Sequence, residues 1–279
     1  MTSGPPTATT ARDLLDRHGL HTRRSLGQHF LVDPNTVRKI MRLSGVRDGD
    51  TVLEVGPGIG SLTSSLAAVA ARVVAVEVDE AVVPALREVI SGFDNVDLVV
   101  GDALRIDLEA AVGGDCRMIS NLPYNVATPI MARVLDEVPA VRGGLVMVQR
   151  ELGERWTAPP GSRTYGAISV KFAYHAQARV AAEVSRHVFM PPPKVSSVLV
   201  DFRRLDAPAV DVGPHKPFLD FVSRAFGHRR KTIRNALVSA GLDSAVVETA
   251  LSQAAIAPAS RPEVLDLDDY ARLYRAMGQ

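Results

Sequence analysis

A chain of 279 residues, 46% hydrophobic and 23% charged, can bury a sizeable core, is too long for a disulfide miniature or a bare peptide-binding module, and has a composition that excludes global disorder, collagen and coiled coil. One cysteine, Cys116, excludes an internal disulfide and a cysteine-based zinc cluster and suits a reducing cytosol. The net charge of +1 gives no global attraction to nucleic acid, but residues 1–47 carry +5, residues 48–118 carry −9 and residues 142–235 carry +9, which leaves basic flanks able to contact phosphate around an acidic centre.

The opening MTSGPPTATT has neither the basic start nor the apolar core of a signal peptide, and no run reaches the roughly 18 apolar residues of a membrane span. A cytoplasmic protein without membrane association is expected, with residues 1–20 as a disordered tail because Pro, Thr and Ser bury too little apolar surface to offset chain entropy. From Thr51 onward, short β-branched runs alternate with helical patterns, the signature of parallel βαβ units in an α/β fold. The runs Thr51 to Val55, Arg72 to Val78, Val96 to Val100, Met118 to Ser120 and Gly144 to Val148 are near-continuously apolar, as strands covered on both faces must be. Helical spacing is found over Ser61 to Ala71, Glu80 to Ser91 and Thr128 to Glu137. Arg179 to Val184 and Ser197 to Arg203 follow in quick succession and suit an antiparallel pair at the sheet edge. After Arg204 a Pro/Gly-punctuated stretch, DAPAVDVGP, marks a boundary. Beyond it Pro217 to Phe226, Arg230 to Ala240, Ser244 to Ala254 and Asp268 to Ala276 predict a small helical domain, so the domains are expected at 21–205 and 206–279.

The first chemical signal closes the first of these strands. In Val52-Leu-Glu54-Val-Gly56-Pro-Gly58-Ile-Gly60 three glycines stand at alternate positions before a helix, and only glycine lets backbone approach a ligand that closely. A dinucleotide fingerprint would need glycine at position 61, where this chain has Ser61. Glu77 follows Gly56 by 21 residues, at the end of the second strand, where a carboxylate can accept hydrogen bonds from ribose hydroxyls. Val99-Val-Gly101-Asp102-Ala103 ends the third strand and places Asp102 on the same rim, to accept from an adenine amino group or to cap the following helix. The fourth strand ends in Ser120-Asn121-Leu122-Pro123-Tyr124-Asn125.

Taken in order, GxGxG, an acidic end to strand two, GDA and NLPY resemble the S-adenosyl-L-methionine-dependent N6-adenine methyltransferases. Within that group NLPYN, Leu26-Gly27-Gln28-His29-Phe30-Leu31, Phe189-Met190-Pro191-Pro192-Pro193-Lys194-Val195 and Arg229-Arg230-Lys231 are similar to the KsgA/RsmA family of ribosomal RNA adenine dimethylases, with matching segments from about residue 22 to residue 275. The resemblance implies a Rossmann-like methyltransferase fold with a seven-stranded, mostly parallel sheet and a small C-terminal all-α domain. It implies S-adenosyl-L-methionine as cofactor, no metal, and cofactor contacts from Glu54, Gly56, Gly58, Gly60, Glu77, Asp102 and Asn121, joined by His29 and Leu31. Asparagine is common in the family where this chain has His29, which can still donate to the methionine carboxylate.

The chemistry asks for NLPY-like residues in its own right. An exocyclic adenine amine is a poor nucleophile because its lone pair is delocalised into the ring, and acceptors aimed at its N–H groups favour a pyramidal nitrogen whose lone pair can attack in line. Asn121 can supply a side-chain oxygen and Leu122 a carbonyl held outward by Pro123, while Tyr124 offers a face to a base swung out of its stack. Phe189 matches an aromatic that completes a sandwich around the base with Tyr124, although an aromatic before three prolines also suits a core position. For RNA the resemblance and the basic flanks together point to Arg23, Arg24, Lys194, Arg229, Arg230, Lys231 and Arg234.

The reading is dimethylation of N6 on two adjacent adenosines in a small-subunit rRNA hairpin, on the immature small ribosomal subunit, by a monomeric enzyme. An Erm-type large-subunit rRNA methylase and a non-catalytic RNA-binding assembly factor on a methyltransferase fold remain open at this point. A DNA adenine methylase is disfavoured by the lack of an inserted recognition domain and by Asn121 in place of the acidic residue of DPPY.

Overall fold

The computed structural model describes residues 8–20 and 29–278. They divide into two compact units, one reaching to Gly153 and resuming over Arg179–Arg204, the other made of Glu154–Ala178 and the chain from Leu205 onward. The first unit opens with α1 (Ala8–Arg17), which corrects the expectation of a disordered tail over residues 1–20. Ala11, Leu14 and Leu15 recur at helical spacing and are buried with Phe30, Ile59, Val82 and Ala85. The proline-rich composition that read as disorder belongs to residues 1–7, which lie outside the described residues. A short strand β1 (Phe30–Leu31) leads into α2 (Pro34–Ser44), whose start is set by the Asp33 cap accepting from Thr36 N at 2.8 Å and whose end is set by Gly45 in the left-handed region.

The expected alternation then follows as β2 (Thr51–Val55), α3 (Thr63–Ala67), β3 (Arg72–Glu77), α4 (Val83–Ile90), β4 (Val96–Val100), α5 (Leu108–Val112), β5 (Cys116–Asn121), α6 (Ala127–Glu137) and β6 (Val141–Gln149). Helix α3 is shorter than the Ser61 to Ala71 predicted from spacing. After α7 (Arg150–Trp156) and α8 (Ala167–His175) come β7 (Ala176–Val184), β8 (Phe189–Met190) and β9 (Ser197–Arg204). Seven strands form one sheet in the order β4-β3-β2-β5-β6-β9-β7, while β1 and β8 pair separately and antiparallel. Strands β2 to β6 are mutually parallel, and β9 runs antiparallel to β6 from Gly143↔Arg203 to Gln149↔Ser197. Val52, Leu53, Val73, Val74, Met118, Ile119, Val146 and Leu199 have essentially no exposed surface, which is why these strands read as unbroken apolar runs.

Arg204, the last residue of β9, closes the far end of α6. Its guanidinium donates to the carbonyls of Val134, Leu135, Val138 and Val141 at 2.7 to 3.1 Å, and burial pulls its pKa below the usual arginine range. Val134 and Leu135 lie in the last turn of α6, Val138 is its C-cap and Val141 begins β6, and a cation at that end also suits the helix dipole. Arg204→Ala is expected to destabilise the protein by about 3 kcal/mol, the cost of several half-buried acceptors losing a charged donor; chemical denaturation with an unchanged midpoint would show that water replaces the guanidinium.

The second unit is helical: α8 packs with α9 (His215–Gly227), α10 (Ile233–Ser239), α11 (Ser244–Gln253) and α12 (Leu267–Ala276) around Phe218, Val222, Leu237, Leu251 and Tyr270. Residues 154–178 belong here and not to the catalytic domain assigned over 21–205, because Tyr165, Val170 and Tyr174 are buried in this helical core. Among the described residues no helix is long and apolar enough to cross a membrane, and no group of three or more His, Cys, Asp and Glu side chains is placed to hold a metal ion.

Candidate active site

The chain lays β3 and β4 on one side of β2 and β5 and β6 on the other, so the order reverses between β2 and β5. Open α/β sheets bind ligands beyond the carboxyl ends of strands at such a point. Backbone pairing between these two strands covers only Val52 with Arg117 and Leu53 with Met118; nearer the rim the Val55 N–H donates to Ser120 Oγ at 2.9 Å. A cavity of about 230 Å³ opens there, walled by the turns that follow β2, β3, β4 and β5 and by the residues around β1. It brings together His29, Leu31, Glu54, Gly56, Gly58, Glu77, Asp102, Asn121, Leu122, Pro123 and Tyr124 from the sequence-derived set.

The glycine turn owes its sequence partly to the protein itself. Gly56, Gly58 and Gly60 have φ of 77°, 56° and 83°, a region closed to most side chains. A Cβ on Gly58 would meet the Phe30 ring at 3.0 Å, and one on Gly60 would meet Leu86 at 2.9 Å and Val89 at 3.0 Å. Gly60 is thus a packing residue against α4 and does not line the cavity, contrary to its assignment as a cofactor contact. Glu77 holds the turn: its two carboxylate oxygens accept from Gly58 N at 3.0 Å and Asp79 N at 2.9 Å. Burial pushes its pKa up, against the pull of those N–H groups. Glu54, 1% exposed, has its pKa pushed up to about 8 by burial, opposed by the Thr63 hydroxyl and reinforced by Glu77, and its Oε2 has no hydrogen-bond partner among the described residues.

Asp102 sits on the same rim, where Oδ1 accepts from Leu104 N at 2.9 Å and Oδ2 lies 3.5 Å from Arg105 Nε. Asp102 thus accepts within the turn after β4 on the rim, and the helix cap expected of it falls instead to Asp107, which accepts from Ala110 N at 2.9 Å at the start of α5. Between the carboxylates the wall is apolar, from Ile59, Val78 and Leu104. Val78, 53% exposed, escaped sequence reasoning because it reads as the last residue of a buried strand; an exposed valine between two carboxylates is the only sequence signal it carries. Asp79, buried and also on the wall, was likewise missed.

At the end of β5 the Leu122 N–H still reaches Met147 O at 3.1 Å, and beyond it the chain turns out of the sheet. Asn121 Nδ2 donates to His29 O at 3.3 Å, and Asn121 Oδ1 is buried with no partner among the described residues. The His29 ring lies 5.4 Å from the Tyr124 ring and donates through Nδ1 to Pro191 O at 2.7 Å, since a carbonyl can only accept. Tyr124 OH is 2.6 Å from Ser197 Oγ, and burial raises the phenol's pKa. Phe189 is 3% exposed, pairs with Leu31 across β1 and β8, and is buried with Val37, Ile40 and Leu199. It does not line the cavity, and among the described residues the ring found beside Tyr124 is that of His29. Cys116 is buried, its thiol pushed up to about 12 by desolvation, which makes it inert.

Of the basic residues, Arg23 and Arg24 lie outside the described residues, and Lys194 is exposed in the first unit. In the second unit Arg229 donates to Arg163 O, Lys231 Nζ to Ser239 Oγ at 2.7 Å, and Arg234 to Glu248 Oε1 at 2.8 Å and Ser244 Oγ at 2.9 Å. Arg230 is exposed and has no partner among the described residues. The run also follows the C-terminus of α9, where positive charge is favourable, so its cost at the start of α10 is offset within the fold.

The profile of the family described as ribosomal RNA adenine dimethylase matches residues 19–278. The chain is 41% identical to the ribosomal RNA small subunit methyltransferase A of Moorella thermoacetica, covering 95% of each, and 42% identical to that of Leifsonia xyli, covering 94% of this chain and 95% of the relative. Among solved structures it resembles the 23S rRNA methyltransferase ErmE, at 25% identity and a TM-score of 0.66 over 90% of this chain and all of that one. It shares the fold of a dimethyladenosine transferase from Plasmodium falciparum, at 21% identity and a TM-score of 0.72 over 90% of this chain and 98% of that one. With its family profile spanning nearly the whole chain and its glycine turn, acidic rim and NLPY loop gathered on one cavity, the protein belongs to the ribosomal RNA adenine dimethylases, S-adenosyl-L-methionine-dependent methyltransferases.

Proposed function

We propose that this chain methylates N6 twice on each of two adjacent adenosines in a hairpin of small-subunit rRNA, acting as a monomer in the cytoplasm on the immature small subunit. The observation that carries the reading is Asn121 Oδ1, a buried acceptor without a partner beside an acidic cavity. The residues fit S-adenosyl-L-methionine: Glu54, with its own unpartnered oxygen, and Glu77 and Asp102 suit a cationic nucleoside, and Val78 and Leu104 suit a flat base. When bound, that group supplies a methyl made electrophilic by a positively charged sulfur. His29, Leu31, Gly56 and Gly58 complete its seat. Asn121 Oδ1 and the Leu122 carbonyl accept from the adenine N–H groups and free the nitrogen lone pair, Tyr124 backs the base, and the proton leaves after transfer. Lys194 and Arg230, exposed cations, are assigned to rRNA phosphate together with Arg23, Arg24, Arg229 and Lys231. Arg234, spent on Glu248, is left out of that set.

The small-subunit target is supported by the small-subunit methyltransferases that match at 41 and 42% identity, against 25% for the large-subunit methylase. Labelled methyl groups offered with unmodified small subunits, large-subunit RNA or duplex DNA are expected to appear as N6,N6-dimethyladenosine in the small subunit alone. Label in large-subunit RNA instead would move the protein to the other branch, and binding of RNA without label in any substrate would make it an assembly factor.

A further inference from the structure

Tyr124 is half-buried, and its one hydrogen bond among the described residues comes from a residue 73 positions away: Ser197 Oγ at 2.6 Å. Ser197 has no exposed surface and begins β9, where it lies opposite Gln149 of β6. The preceding residue is fixed as well. Ser196 O accepts from Arg150 N at 3.0 Å and Ser196 Oγ from Arg150 Nε at 3.2 Å, and Arg150 is ion-paired to Glu183. The hydroxyl that meets Tyr124 is therefore carried by sheet backbone that does not shift independently, whereas Tyr124 itself stands in the turn beyond β5.

A stacking platform needs its ring plane fixed. A tyrosine has two free torsions. A tie at the para oxygen, which lies on the axis of the second, restrains the first and so the direction of the ring; it also biases the ring plane, because a phenol O–H lies in the plane of its ring. Phenylalanine cannot offer such a tie. We propose that Ser197 is a positioning residue for Tyr124, so that the antiparallel strand β9, together with the NLPY turn, holds the ring against which the target base is presented. This rests on the reading of Tyr124 as the base's platform. It gives the tyrosine hydroxyl a role that stacking alone would not require.

The test uses the full-length protein with all five tyrosines ring-labelled for NMR, the Tyr124 signal being assigned by its loss in Tyr124→Phe. Ser197→Ala should move or average the Tyr124 signal while the other four stay in place, which also reports an intact fold. An unmoved Tyr124 signal overturns the proposal whatever the RNA assays give. In single-turnover transfer, Ser197→Ala, Tyr124→Phe and the double variant should each fall by the same roughly tenfold, the scale of one hydrogen bond, with the KM for RNA unchanged; Ser197→Thr, which keeps the hydroxyl, should recover most of the rate. Losses that multiply in the double variant, or Ser197→Ala at the wild-type rate, overturn it too. A wild-type protein that moves no methyl group to any RNA while the NMR result holds would instead defeat the proposed function and leave the Ser197 tie standing.

Discussion

Replacing Asn121 by alanine should lower single-turnover methyl transfer at least about a hundredfold, the scale of losing one preorganised polar contact at a reacting centre. The side chain is oriented from within: its Nδ2 is used on the His29 carbonyl, which fixes Oδ1 as the group facing away from that bond, buried and unpartnered. An acceptor held in this way costs the folded protein its desolvation and repays it only when an N–H arrives, which is the condition for stabilising a transition state in preference to a ground state. Asn121→Asp is informative because it keeps acceptors but sets a carboxylate oxygen against the His29 carbonyl, so it should turn the side chain away and also lose activity. Affinity for RNA, which depends on phosphate contacts elsewhere, should hardly change for either variant. Paired transfer and binding measurements on the same small-subunit preparations decide the matter, and transfer by Asn121→Ala at the wild-type rate would remove the NLPY turn from the chemistry.

The central parallel strands were legible because they are buried on both faces, which forces largely apolar runs such as Thr51–Val55 and Arg72–Glu77, and the strand ends then located the rim on which Gly56, Glu77, Asp102 and Asn121 meet. Helix α1 was obscured by the proline-rich residues before it, although Ala11, Leu14 and Leu15 already carried its period. Helix α2 carries a complete set of start and stop signals in Asp33, Pro34 and Gly45, but it lies upstream of the βαβ alternation that begins at Thr51 and so outside that pattern. The second unit begins early because burial of Tyr165 and Tyr174 draws residues 154–178 into the helical core, and no change of composition marks that entry. At the site, residue types were readable and partners were not. Sequence cannot show that Phe189 spends its ring on the core, that Gly60 packs against Leu86 and Val89, or that Ser197 meets Tyr124, since each depends on contacts between distant segments.

Glu54 should make both stability and cofactor binding depend on pH, in opposite senses. Its carboxyl is buried at the end of β2 and holds its proton to about pH 8 in the folded protein, against an ordinary value of 4.5. Between those values the folded state binds more protons than the unfolded one, so this group's contribution to stability falls as pH rises, by up to roughly 1.4 kcal/mol per pH unit. Glu54→Gln keeps the shape and cannot ionise, and melting curves should show it gaining on the wild type steadily from about pH 5 to about pH 8 and levelling off above. A cationic ligand acts the other way, because positive charge in the cavity favours the ionised carboxylate of Glu54 and of its neighbour Glu77. Binding of S-adenosyl-L-methionine at neutral pH should therefore release about one proton, and titration calorimetry in buffers of different ionisation heat reads that number directly. Glu54→Gln should abolish most of the release while weakening binding most strongly at high pH, where the wild-type carboxylate is already ionised. If the variant's melting curves ran parallel to the wild type at every pH and the proton release were unaltered, the charge that balances the cofactor would have to lie on Glu77 and Asp102 instead.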